Sequence, residues 1–189
     1  APADLARLVA RDAPHQGLVL DCDALEDIFL DEVLDADPAR PLVILDQVTD
    51  PHNVGAIMRS AAAFNAAAIV TQDRHAPPES GTLAKSASGA LEVLPWVRVV
   101  NLARALEEIA EAGYWRIGLA GEGKSTLVEA LPAGPVALVL GAEGEGMRHN
   151  ITQHCDALAR LPISSAIESL NVSNAAAIAL YAVASRESE

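Results

Sequence analysis

Short apolar runs that empty directly into polar or glycine-rich loops constrain this chain most. Leu42-Val43-Ile44-Leu45 runs into Asp46-Gln47-Val48-Thr49-Asp50, and Leu138-Val139-Leu140 runs into Gly141-Ala142-Glu143-Gly144-Glu145-Gly146. Unbroken apolar runs of this length belong to strands covered on both faces, as in a parallel sheet. Further strands are predicted at Gly17-Leu18-Val19-Leu20, Ala67–Val70, Val93–Val100, Tyr114–Ala120 and Val136–Leu140, and one more ending at Arg160–Pro162. Helical spacing falls between them. Leu25, Ile28, Phe29, Val33 and Leu34 recur behind a possible cap at Asp23. Residues 54–65 and 79–89, Leu102–Ala112 between Asn101 and Gly113, and Val172–Arg186 follow the same period. The alternation predicts an α/β fold, a mostly parallel sheet with helices on both faces, binding its ligand at the carboxyl ends of the strands.

Charge restricts the partners. Acidic residues number 26 against 13 basic, a net charge of −13, which opposes patch-wide phosphate neutralisation but leaves room for a local basic site. The cysteines, Cys22 and Cys155, are too few for a disulfide framework or a tetrahedral zinc site. His52, His75 and Cys155 lack ligand spacing, so no metal is expected. No apolar run approaches the roughly 18 residues of a membrane span. A reducing, cytoplasmic setting and no membrane partner are the expectation.

Three loops concentrate the chemistry. In the first, Asp46 to Ala61, Asn53 is placed to cap a helix, Gly55 permits close backbone approach, and Arg59 sits in an otherwise apolar stretch. A guanidinium in such company calls for an anion, either a structural carboxylate or a bound ligand. The second, Gly141 to Met147, is dense in glycine and holds Glu143; it reads as a ligand wall or as a tight strand-to-helix turn. The third gathers Ser169, Asn171, Ser173 and Asn174 where the last helix begins, more small polar side chains than one cap needs.

Gly118-Leu119-Ala120-Gly121-Glu122-Gly123-Lys124-Ser125 satisfies a phosphate-loop pattern. A kinase or NTPase is the alternative it suggests. Its context argues against that reading, because only Thr126–Leu131 is available as the helix to follow before Pro132, Gly134 and Pro135.

The three loops, in this order and over residues 42–182, resemble the motifs of the SpoU/TrmH (SPOUT) family of RNA 2′-O-methyltransferases. The residues are Asn53-x-Gly55-x-x-x-Arg59-x-Ala61, Leu140-Gly141-Ala142-Glu143-Gly144-Glu145-Gly146, and Pro162 followed by Ser169-Leu170-Asn171-Val172-Ser173. Thr49-Asp50-Pro51-His52-Asn53, Gly144-Glu145-Gly146-Met147 and His15-Gln16-Gly17 look most like the branch that methylates a guanosine ribose of 23S rRNA; a tRNA ribose is the alternative substrate. The resemblance implies a deep C-terminal trefoil knot, S-adenosylmethionine as cofactor, a homodimer and an RNA rather than a DNA partner. It implies a cofactor pocket at Ala120, Gly121, Leu140, Gly141, Gly144, Leu161, Ile163, Leu170 and Ser173, with Asn53, Arg59, Glu143, Ser169 and Asn171 in catalysis or substrate positioning.

Because a guanidinium keeps its proton above pH 12, Arg59 reads as a phosphate clamp and alkoxide stabiliser, with a base role as the alternative. Arg59, Arg74, His75, Lys85, Arg148 and His149 form the local set left for RNA. Ser165 stands where relatives often carry glycine. Relatives of that branch also carry a small N-terminal RNA-binding domain. Residues 1–16 therefore read as a lead-in from such a domain, and 17–189 as the methyltransferase domain.

Overall fold

The computed structural model describes residues 7–9, 19, 21, 23 and 25–186. The strand expected at Gly17–Leu20, the motif His15-Gln16-Gly17 and the lead-in 1–16 lie, isolated positions apart, outside the described residues.

Among the described residues seven strands form one sheet: β1 (Leu42–Asp46), β2 (Ala68–Gln72), β3 (Trp96–Val99), β4 (Trp115–Leu119), β5 (Ser125–Thr126), β6 (Val136–Gly141) and β7 (Ala157–Arg160), in the order β3-β2-β1-β6-β4-β7-β5. Every strand pairing is parallel. The expected apolar runs sit at its centre: Leu42 to Leu45 and Val136 to Leu140 are all buried, and β1 pairs with β6 from Leu42↔Ala137 to Asp46↔Gly141.

Among the described residues seven α-helices cover the two faces: α1 (Leu30–Leu34), α2 (Pro51–Ala63), α3 (Gly81–Ala87), α4 (Leu102–Glu111), α5 (Leu127–Ala130), α6 (His149–Gln153) and α7 (Val172–Arg186). Strand residues alternate between two cores. Val43, Leu45, Leu138 and Leu140 pack with Ile57 and Met58 of α2, Leu83 of α3 and Ala176, Leu180 and Val183 of α7. Leu42, Ile44, Ala137 and Val139 pack with Val33 of α1, Leu106 and Ile109 of α4 and Ile151 of α6. Covering both faces explains why the strands read as continuous hydrophobic runs. No helix of the described residues is long and apolar enough to cross a membrane.

The helix expected from Leu25 is confined to Leu30–Leu34, with Phe29 rather than Asp23 at its cap position. Ile28 instead bridges Val97 of β3 in parallel register. β3 is the sheet edge, and its open backbone groups draw the preceding segment into extended form against the weak pull of a short amphipathic pattern. The strand expected at Val93–Val100 begins only at Trp96, because residues 90–94 turn back through the Leu94 N–H to the Ala90 carbonyl, 2.9 Å. Asn101 caps α4 through the N–H groups of Ala103 and Arg104, and α7 has the predicted bounds.

This topology places the functional loops. From β1 the chain steps outward through β2 to β3, whereas β4 lies beyond β6, so β6 fills the position where the strand order reverses. The loops leaving β1, β4, β6 and β7 all emerge at the carboxyl edge of the sheet around that point, the position where open parallel sheets bind ligands.

Candidate active site

The first loop enters α2 through an Asp-Pro step. Asp50, not Asn53, is the cap: its carboxylate accepts the His52 N–H at 3.0 Å, and Pro51 occupies the first helical position. Asn53 therefore lies inside the first turn with its side chain free for a distant partner. Asn171 is that partner, its Nδ2 donating to Asn53 Oδ1 at 2.9 Å. The same Nδ2 donates to Glu143 Oε1, which also accepts the Val172 N–H at 3.2 Å. Meanwhile Asn171 Oδ1 caps α7, accepting from the Ser173 N–H at 2.9 Å, from Ser173 Oγ at 2.5 Å and from the Asn174 N–H at 3.4 Å. Thus one residue of the third loop joins the first loop to the second. Among the described residues no hydrogen bond reaches Glu143 Oε2.

Beside this triad lies a cavity of about 360 Å³. It is walled by Leu119, Ala120 and Gly121 after β4, by the segment Arg160 to Ser165 after β7, and by Ile167 to Leu170 with Ala175 at the start of α7. Of the expected cofactor residues, Ala120, Gly121, Leu161, Ile163 and Leu170 line it, as does Ser169. Leu140, Gly141, Gly144 and Ser173 do not. Leu140 is buried in the core, and Ser173 Oγ is engaged by Asn171. Gly141 has its own reason to be glycine: a Cβ there would lie 2.0 Å from the carbonyl carbon of Gly146 and 2.2 Å from the Met147 nitrogen. The loop folds back on itself, with an Ala142–Gly146 bridge and Gly144 at φ +80. Gly55 likewise serves packing, since a Cβ there would meet Ser86 and the Leu83 carbonyl of α3 within 2.7 Å. Arg160 and Glu168 are charged wall residues that the sequence patterns did not single out.

Arg59 contradicts the burial expected for it. It is exposed, and among the described residues no carboxylate pairs with it. Six residues beyond Asn53, it stands about 120° around α2 and about 9 Å along it, and among the described residues it makes no hydrogen bond to the triad. Arg74, Lys85 and His149 are also exposed, whereas Arg148 is committed elsewhere. Its backbone N–H donates to Asp46 Oδ2 at 2.8 Å and its Nε to Oδ1 at 2.8 Å, while Nη2 reaches Gln72 Oε1 at 2.9 Å. Asp46 is fully buried. The sequence signal for it was available: an acidic residue ending an apolar strand run must find a cation or several N–H groups.

The phosphate-loop pattern lacks its helix. Gly118 is buried inside β4, and Ser125 enters a two-residue strand followed by the four-residue α5. The carbonyls of Gly123 and Lys124 accept from Arg160 Nη1 at 2.9 and 2.8 Å, so this stretch directs acceptors at a cation rather than amides at a phosphate.

The model of the SpoU rRNA methylase family matches residues 40–181. The chain belongs to that family. Among curated relatives it is 45% identical over 184 residues to the 23S rRNA (guanosine-2′-O-)-methyltransferase RlmB of Ralstonia nicotianae, covering 95% of this chain and 74% of the relative. It is 42% identical over 173 residues to the RlmB of Pseudomonas aeruginosa, covering 89% and 70%. Among solved structures, the SpoU methyltransferase AviRb of Streptomyces viridochromogenes in complex with AdoMet superposes with a TM-score of 0.75 at 26% identity, over 84% of this chain and 62% of that one. An AdoMet-bound rRNA methyltransferase from Sinorhizobium meliloti gives 0.76 at 26%, over 85% and 61%. This chain thus spans less than two thirds of either solved chain. Its family motifs are the loops that the Asn53–Asn171–Glu143 contacts tie together.

Proposed function

We propose that this chain transfers the methyl group of S-adenosylmethionine to the ribose 2′-hydroxyl of an RNA guanosine, with 23S rRNA as the substrate. The observation that carries the reading is Asn171, whose side chain links Asn53 to Glu143 while the residues before it, Ser169 and Leu170, line the adjoining cavity. Substrate-facing polar groups and a cofactor-sized space thus adjoin at one helix start.

The cavity suits the cofactor. Its volume falls within the roughly 300–1,000 Å³ of small-molecule sites, and its walls are largely apolar or small. At Gly121 a Cβ would meet nothing within 4 Å, so that wall stands clear for a ligand. Ala120, Gly121, Leu161, Ile163 and Leu170 would hold the adenosyl portion. Bound there, S-adenosylmethionine supplies an electrophilic methyl on a sulfonium. The knotted C-terminal path that the family implies would gather these loops.

The ribose hydroxyl is a poor nucleophile, so most of the work is alignment and stabilisation of charge. Glu143, fixed through Oε1, presents Oε2 to accept the hydrogen bond of the incoming 2′-hydroxyl. Asn53 and Asn171 keep that carboxylate in place. The Arg59 guanidinium clamps a phosphate or the developing alkoxide from the exposed side of α2. Because Arg59 makes no hydrogen bond to its own triad among the described residues, a homodimer that brings it to a second triad is part of the proposal. The exposed Ile178 and Tyr181 of α7, with Phe64 edge-on to Tyr181 at 6.2 Å, give a second copy an apolar face to cover.

The test is methyl transfer from labelled S-adenosylmethionine to 23S rRNA and tRNA transcripts, beside calorimetric titration with S-adenosylmethionine, S-adenosylhomocysteine and Mg-ATP. Binding of the two methionine-derived ligands with labelling of one rRNA guanosine is expected. Binding of Mg-ATP alone would overturn the reading.

A further inference from the structure

The loop that carries Glu143 is tied down at both ends by one residue, through strand pairing at one end and through its buried carboxylate at the other. Asp46, the last residue of β1, lies in register with Gly141, where the loop leaves β6. Where the loop returns, Arg148 comes back to the same Asp46, 102 positions away in sequence, through its backbone N–H and its guanidinium; Nη2 lies 2.6 Å from Oδ1. The tie extends sideways: Arg148 Nη2 donates to Gln72 Oε1 at the end of β2, and Gln72 Nε2 donates to the Val100 carbonyl beyond β3, 3.0 Å. One guanidinium therefore braces the loop against the carboxyl ends of adjacent strands. Inside the loop the Gly146 N–H returns to the Ala142 carbonyl at 2.9 Å, so the turn has few ways to move once its ends are fixed.

We propose that Asp46 and Arg148 form a latch that sets the position of Glu143 against Asn171 and the start of α7, making Arg148 a positioning residue of the transfer site rather than an RNA contact. This rests on the reading of Glu143 as part of that site. A latch in which a fully buried carboxylate accepts from both the backbone N–H and the partly exposed guanidinium of Arg148 resists displacement where backbone hydrogen bonds alone would let an exposed glycine-rich turn drift. Lysine cannot replace it, because a single ammonium cannot hold both Asp46 and Gln72 in one plane.

The experiment compares the wild-type chain with Arg148→Lys and with the paired change Asp46→Asn/Arg148→Gln, which leaves no buried charge alone should the single variant fail to fold. Two readouts are taken. Hydrogen exchange at the Val172 amide, which donates to Glu143 Oε1, reports the latch without any activity, with the Val139 amide as the core reference. Expected is at least a tenfold loss of protection at Val172 in both variants, with Val139 unchanged. The second readout is steady-state methyl transfer: kcat falls about a hundredfold, the effect of a misplaced group at a reacting centre, while the KM for RNA and its salt dependence hold. A raised KM with a salt slope shallower by about one would make Arg148 a phosphate contact and overturn the proposal. So would unchanged Val172 protection in a folded variant. If the wild-type chain transfers no methyl group, the functional reading fails while the exchange measurement still decides the latch.

Discussion

Asn53 and Asn171 stand 118 positions apart in the chain, yet the amide of one donates to the carbonyl of the other at 2.9 Å. The contact exists because α2 and α7 pack on the same face of the sheet and both begin at its carboxyl edge. Through it, a residue that starts one helix reports the position of another.

Asn171 has two separable duties, and two substitutions separate them. Asn171→Ala removes the cap of α7 and the bridge together, so it should cost about 1 kcal/mol of stability and nearly all methyl transfer. Asn171→Ser keeps a capping oxygen while losing the Nδ2 that holds Asn53 and Glu143. Its thermal midpoint should stay close to wild type while kcat falls about a hundredfold. Thermal melts paired with initial rates check this; equal activity losses without a stability difference would contradict the double role.

The glycines of the second loop are unequal. At Gly141 a methyl would overlap the Gly146–Met147 backbone at 2.0–2.2 Å, so Gly141→Ala must displace main chain and should cost about 3 kcal/mol. At Gly144 a Cβ meets no atom within 4 Å, and the cost is that of φ +80 alone, about 1 kcal/mol. Urea denaturation of the two variants should rank them in that order. A bulky residue at Gly141 consequently tests folding of the loop before it tests cofactor binding.

Buried runs such as Leu42–Leu45, the Asn101 cap and the bounds of Val172–Arg186 are written locally, in periodicity and capping chemistry, and they were legible. The Asp50-Pro51 step was equally local, and it outranks Asn53 as a cap because proline at the first helical position fixes the start. Other features were not local. Nothing near Arg148 in the sequence says that it is held by Asp46, nor does Gly55 announce that its partner is α3 rather than a ligand. β5, α5 and α6 are too short to carry a period. The apolar neighbours of Arg59 point to burial, yet a helix packed on one side leaves an outward face even within an apolar stretch.

Arg59 offers a clean division between folding and function. It is exposed and, among the described residues, unpaired by any carboxylate, so Arg59→Ala should move stability by no more than about 0.5 kcal/mol. Methyl transfer should nevertheless fall by two orders of magnitude or more, as expected when a charge-stabilising donor is removed. Calorimetry with S-adenosylhomocysteine should be unchanged, because Arg59 does not line the cavity. A destabilised variant would show that Arg59 has a structural partner instead.

Acid should loosen the far side of the sheet through Asp156. Its carboxylate accepts from Arg116 Nε at 2.9 Å, Nη2 at 2.7 Å and the Arg116 backbone N–H at 2.8 Å. These hydrogen bonds hold its pKa below the ordinary aspartate value, and Arg116 is correspondingly raised. A carboxyl whose folded pKa is depressed contributes stability that is complete above its unfolded pKa of about 4 and is lost as pH falls through the lower, folded value. Asp156→Asn should therefore destabilise the protein by about 1 kcal/mol at pH 7 and by progressively less below pH 4, where wild type loses the same contribution. Urea midpoints of the two proteins measured from pH 7 to pH 3 should converge on the acid side. Parallel curves across that range would mean that the pairing with Arg116 contributes nothing through ionisation, and that the β4–β7 connection rests on its backbone hydrogen bonds alone.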